Sequence, residues 1–145
     1  MRIGYSDDED WPGQFALFQA NCRRSLRGQT GQCALRQLEA ALLALPKPRL
    51  IAHELQDVAG DVCAIGALVR YQGITPKADP EFEMEHIGVE CGMPLLVAWK
   101  VVEQNDIEFD TRYVADPVFH RVLYTPEERY DAMLAWVRQQ LGTVP

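Results

Sequence analysis

Gly60-Asp61-Val62-Cys63-Ala64-Ile65-Gly66-Ala67-Leu68-Val69-Arg70-Tyr71-Gln72-Gly73 is the least polar run of the chain. Its small residues, Cys63, Ala64, Gly66 and Ala67, let other backbones come close. The run predicts a central buried helix, entered through Asp61 and ended by Gly73. Periodicity alone leaves a buried strand open as the alternative. A glycine inside a helix costs about 1 kcal/mol against alanine, so Gly66 predicts a tight helix–helix contact in return.

On the N-terminal side, Trp11, Phe15, Phe18, Cys22 and Leu26 recur at helical spacing and predict one apolar helix face ending near Gly28. Met1 to Tyr5 reads as an extended segment or a tail. The acidic run Asp7 to Asp10 reads as lying ahead of this helix, with Pro12 in its first turn. Gly28-Gln29-Thr30-Gly31-Gln32 reads as a loop. Leu35, Leu38, Leu42 and Leu45 then form a second seam, stopped by Pro46 and Pro48 and antiparallel to the first. Residues 49–58 are ambiguous between an extended piece and a single helical turn, with room for a small strand pair.

On the C-terminal side, Asp79 and Pro80 predict the start of a short helix with Phe82, Ile87 and Val89 or Cys91 inward, ending at Gly92. Pro94 opens another, with Leu95, Trp99 and Val102 on one face and Asn105 as its polar end. Residues 107–118 read as irregular and acidic. Thr125-Pro126-Glu127-Glu128 is an S/T-x-x-E capping box, and Tyr130, Met133, Leu134, Val137 and Leu141 form the buried face of the last helix, closed by Gly142. The expectation is one all-α or nearly all-α domain over residues 1–145, with five or six helices and at most a minor two-stranded element.

A chain of 145 residues is long enough to bury a core without staples. Its 14 basic and 21 acidic residues leave a net charge of −7, so direct nucleic-acid binding is not expected. No apolar run approaches the ~20 residues of a membrane span, and Asp7 to Asp10 stand where a signal peptide would be apolar. Cys22, Cys33, Cys63 and Cys91 lie far apart with no CxxC pair, which predicts reduced thiols and a cytoplasmic protein.

Three groupings carry the functional reading. Arg23, Arg24 and Arg27 run into Gly28–Gly31 at a helix start, where backbone amides attract anions; the GK[ST] ending of a P-loop is missing. Asn105 and Asp106, with Glu103, Glu108 and Asp110, bring carboxylates together, but their spacing fits no EF-hand. His53, His86 and His120 are scattered, and His86 with Glu90 makes only two ligands, so neither a metal nor a cofactor is expected. Ser6 and Ser25 lack a nucleophile elbow. The third grouping is acidic: Asp7, Asp8 and Asp10, then Glu81, Glu83, Glu85 and Glu90, then residues 103–110. Gathered on one face, they would imitate a nucleic-acid backbone or dock on a basic partner.

Several pieces of the chain resemble small uncharacterised proteins of bacteriophages and prophages. They are Gly4-Tyr5-Ser6-Asp7-Asp8, Arg24 to Gln32, Arg49-Leu50-Ile51 with Val62 to Ala67, Asn105-Asp106, and Thr125 to Arg129 through Trp136-Val137. The resemblance spans most of the chain and implies an accessory protein working in a bacterial cytoplasm; it transfers no activity. The leading expectation is therefore a non-enzymatic protein that binds a bacterial or phage protein through Asp7, Asp8, Asp10, Glu81, Glu83 and Glu85, acting on a host defence or nucleic-acid-handling complex. The alternative is an anion- or nucleotide-binding domain, or an enzyme, using Arg24, Arg27, Gly28 and Gly31 with Asn105 and Asp106 opposite.

Overall fold

A computed structural model describes the backbone of residues 3–142 and the side chains from residue 12 onward. Chain order is α1 (Ile3–Arg27), α2 (Gln29–Leu43), α3 (Ala64–Gln72), α4 (Met84–Glu90), α5 (Leu95–Glu103), a π-helical segment (Gln104–Glu108), β1 (Thr111–Val114), β2 (His120–Leu123) and α6 (Pro126–Gln140). This is the mostly helical architecture expected, with one antiparallel strand pair. Central α3 packs on α2, α4 and α5, while α2 also meets α1 and α6. Ala64, Ile65, Ala67 and Leu68 of α3 join Leu35, Leu38, Leu42, Ile87, Val97, Val101, Met133 and Val137 in one apolar core. No described helix is long and apolar enough to cross a membrane.

The central helix starts later than its sequence suggests. Asp61 is drawn aside: Arg49 Nε donates to its carboxylate (3.1 Å), and its carbonyl accepts from the Asp57 amide (2.9 Å). Backbone therefore stays extended through Cys63, which becomes the N-cap and accepts from the Gly66 amide on Sγ (3.4 Å). The end is as expected, at Gly73, whose φ of +68° places it in the left-handed region that glycine adopts without a Cβ clash. Gly66 does sit in a tight contact, but its neighbour is no helix. An added Cβ would collide with the Leu55 carbonyl oxygen and lie 2.9 Å from Val62 Cβ.

Expectation and structure part company at the N-terminus. α1 already runs from Ile3, so Asp7 to Asp10 lie within the helix and Pro12 sits inside it. The Trp11 side chain lies outside the described residues. Phe15 is 49 % exposed, and the buried face begins only at Phe18, whose ring meets Trp99 edge-on at 4.9 Å. The expected loop over Gly28–Gln32 is also absent. Gly28 alone separates two helices: its amide donates to Arg24 O (3.0 Å) and its carbonyl accepts from Gln32 N (2.8 Å). Gly31 is helical and buried where α2 crosses α1, and an added Cβ there would collide with the Ser25 carbonyl oxygen.

Two other starts and faces shift. Asp79 organises a tight turn, accepting from the Glu81 amide on Oδ1 (2.9 Å) and from the Glu83 amide on its carbonyl (2.7 Å). Helix α4 therefore begins at Met84 and leaves Phe82 74 % exposed, while Met84, Ile87 and Cys91 turn inward. In α5 the buried residues are Val97, Ala98 and Val101, with Leu95 outside. A single bridge, Gln56 to Val62, forms where a strand pair seemed available. The real pair, in register Thr111 to Leu123, has its first strand in the segment 107–118 read as irregular and its second just beyond it.

The last helix starts as its sequence dictates. Thr125 Oγ1 accepts from the Glu128 amide (3.1 Å), and Glu128 Oε1 accepts from the Thr125 amide (2.9 Å). Thr125→Ala is expected to destabilise the protein by ~0.5–2 kcal/mol. Urea denaturation measures this, and an unchanged midpoint would refute the cap's contribution.

Candidate functional site

The tertiary structure divides the arginine trio. Arg23 and Arg27 are four apart, hence about 40° from one another around α1; Arg24 is about 100° from Arg23 and about 60° from Arg27. Arg24 Nη1 donates to Asn21 Oδ1 (2.8 Å) on its own face. Arg23 and Arg27 look onto a groove shared with α5 and α6. Gly28 and Gly31, being a helix junction and a crossing point, do not cradle the arginines.

Asn105 belongs to the core rather than to a ligand site. It is 1 % exposed. Its Nδ2 donates to Ile51 O (2.9 Å) and to Asp106 Oδ1 (2.7 Å), while its Oδ1 accepts from Ala64 N (3.2 Å). The last bond satisfies one of the amides that the start of α3 leaves without an intrahelical partner. Asp106 Oδ1 also accepts from the His53 amide (3.1 Å). The pair thus clamps three chain segments, and no described contact joins it to Arg24, Arg27, Gly28 or Gly31.

The acidic groups fare unevenly. Asp7, Asp8 and Asp10 lie in α1, with side chains outside the described residues. Glu81 and Glu83 are exposed; Glu85 is half-buried, 3.8 Å from His86 Nδ1. Glu90 acts within the fold: its two carboxylate oxygens accept from the amides of Lys77 and Ala78, both at 2.8 Å. Those bonds hold its carboxyl below the usual range. Glu103 pairs with Lys100 at 2.6 Å.

Members of two of the acidic groups nevertheless flank one loop. The loop at His53, itself at φ +69°, lies between them. On one side its residues 53–56 share a depression of about 390 Å³ with Pro80 and Glu81. On the other, the His53 amide donates to Asp106 Oδ1, and Asp110 Oδ1 lies 3.5 Å from His53 Nε2. Glu54, Glu81, Asp106 and Asp110 are thereby gathered around one short loop. Sequence reading missed His53 and Glu54, because nothing in Leu50-Ile51-Ala52-His53-Glu54 marks it as a meeting point. It missed the hairpin as well, although Thr111, Tyr113, Val114 and Val122 are residue types that strands favour. On the outer face of that hairpin Tyr113 stacks on Phe119 (4.8 Å), and the Arg121 guanidinium lies 5.4 Å from the Tyr113 ring centre.

Among the described residues, no three His, Cys, Asp or Glu side chains are grouped to hold a metal ion. All four cysteines are free. Burial pushes the Cys63 thiol up to about 12 and the Cys91 thiol to about 11, and raises Cys22 as well; Cys33 is exposed. Because the thiolate is the reactive form, a thiol-specific disulfide reagent at pH 8 is expected to modify one cysteine quickly and three only on unfolding. Peptide mapping should find the fast label on Cys33; rapid labelling of Cys63 would contradict its burial.

No protein-family model, no curated protein and no solved structure matches this chain.

Proposed function

We propose that the protein is a binding protein that docks on a basic protein partner through the acidic surface around the loop at His53. The convergence of Glu54, Glu81, Asp106 and Asp110 on that loop carries the reading. Glu83 extends the surface along the same turn, and Glu85 stands at its half-buried edge. Clustered charge of one sign raises the encounter rate with an oppositely charged partner and fixes its orientation more than it adds affinity. The resemblance to phage and prophage proteins supports an accessory role in a bacterial cytoplasm, with a host defence or nucleic-acid-handling complex as the target.

The test uses a partner captured from a bacterial lysate with the parent protein. Glu54→Lys/Glu81→Lys is expected to slow association about tenfold or more at low salt, and the parent complex to weaken as salt shortens the Debye length below about 8 Å. Circular dichroism should show both folds intact, since both residues are exposed. Arg23→Gln/Arg27→Gln is expected to bind the partner normally. Loss of binding in the arginine variant alone would refute acidic docking.

A further inference from the structure

Between the C-terminal half of α1, the junction of α5 with the π-helical segment, and the end of α6 runs an open groove. It is made of two adjoining hollows of about 670 and 370 Å³ that share Arg27, Gln104, Trp136 and Gln140. These sizes fall in the range of small-molecule sites. The chain carries a net charge of −7, yet none of the described residues lining the groove is acidic, and three of them, Arg23, Arg27 and Lys100, are basic. Five of the ten glutamines in the chain line it too.

The simplest account of these arginines is that they offset the negative carbonyl ends of α1 and α6. The hydrogen bonds do not follow that account. Gln32 does the work at both helix ends: its Nε2 donates to Leu26 O (2.7 Å) and to Gln140 O (2.8 Å). Among the described residues, neither Arg23 nor Arg27 has an ion-pair or hydrogen-bond partner, and the same is true of the side chains of Gln104, Gln139 and Gln140. Lys100 is different, its ammonium being held by Glu103 (2.6 Å) and Gln19 (3.3 Å). The groove therefore holds two uncommitted guanidiniums beside three uncommitted carboxamides, over a floor of Trp136.

Two arginines at i and i+4 have Cβ atoms about 5–6 Å apart, close enough for both to bond one phosphate, the anion whose oxygens best match guanidinium donors. Carboxamides each offer a donor and an acceptor on one plane, the pattern that reads the edge of a nucleobase. We infer that this groove binds a nucleoside monophosphate, with the phosphate between Arg23 and Arg27 and the base edge on Gln104, Gln139 and Gln140. The site stands apart from the acidic docking surface and requires none of its residues.

Isothermal titration with AMP, GMP, CMP and UMP tests it, with inorganic phosphate and the matching nucleosides as separate arms. At least one monophosphate should bind saturably, and at least tenfold more tightly than either phosphate or its nucleoside alone. Arg23→Gln/Arg27→Gln should lower that affinity tenfold or more while keeping the parent circular dichroism and melting temperature. Arg24→Gln, which does not line the groove and is bonded to Asn21 (2.8 Å), should leave it unchanged. If phosphate binds as well as every nucleotide, the groove is a plain anion site and the inference fails. Absence of saturable binding by all four monophosphates up to millimolar concentration, or equal binding by the double variant, overturns it as well.

Discussion

Gly31→Ala is expected to destabilise the protein by more than the ~1–3 kcal/mol usual for overpacking. The added methyl would occupy the space of the Ser25 carbonyl oxygen and come within 3.2 Å of the Leu26 carbonyl. Both obstacles are α1 backbone, so no side-chain rotation relieves them. Helix α1 cannot slide away cheaply either, because Cys22 and Leu26 are buried on the same side. Alanine's better helix propensity returns only about 1 kcal/mol. At roughly 3 °C per kcal/mol for a chain of this size, the melting temperature should fall by about 10 °C or more. Gly13→Ala supplies the control: nothing lies within 4 Å of its added Cβ, so propensity alone should make that variant slightly more stable. Equal melting temperatures for the parent and Gly31→Ala would mean that α1 and α2 do not cross at this glycine.

Asn105→Leu, which keeps the number and branching of the side-chain heavy atoms, is the second large effect. Leucine offers neither the acceptor that Ala64 N uses (3.2 Å) nor the donor that Ile51 O uses (2.9 Å). Each buried backbone group left without a partner costs about 1–3 kcal/mol, so a loss of ~2–5 kcal/mol is expected. Asp106 also loses its neighbour's amide (2.7 Å), which should loosen the loop at His53. Hydrogen exchange is the discriminating measurement: the amides of Ala64 and His53 should exchange faster than the global loss of stability accounts for. Unchanged protection at Ala64 would show that Asn105 does not support the start of α3.

Both of these residues were visible in the sequence and misjudged there for the same reason. Gly31 lies in a run, Gly28-Gln29-Thr30-Gly31, whose local preference is a loop; close approach of α1 overrides it and makes glycine necessary inside a helix. Asn105 follows an apolar helical pattern and has the residue type of a helix end, but its partners lie 41 and 54 residues away. The arginines illustrate the opposite case. That Arg23 and Arg27, four apart, share a face follows from 3.6 residues per turn and was available beforehand. That the face of Arg23 and Arg27 looks onto the glutamines of α6 was not.

By itself the sequence determined what depends on neighbours within about one helical turn. The capping box at Thr125, the seam of Leu35, Leu38 and Leu42, and the stop at Gly73 each rest on contacts between residues three or four apart or on the conformational freedom of one glycine. Tertiary structure alone decided that Asp61 turns to Arg49 and leaves the cap of α3 to Cys63, that residues 111–114 and 120–123 pair as strands, and that Glu54, Glu81, Asp106 and Asp110 flank one loop. The physical reason is that charges and buried polar groups take whichever partner the packed core brings within hydrogen-bond reach, and the core is assembled from segments whose proximity no local spacing encodes.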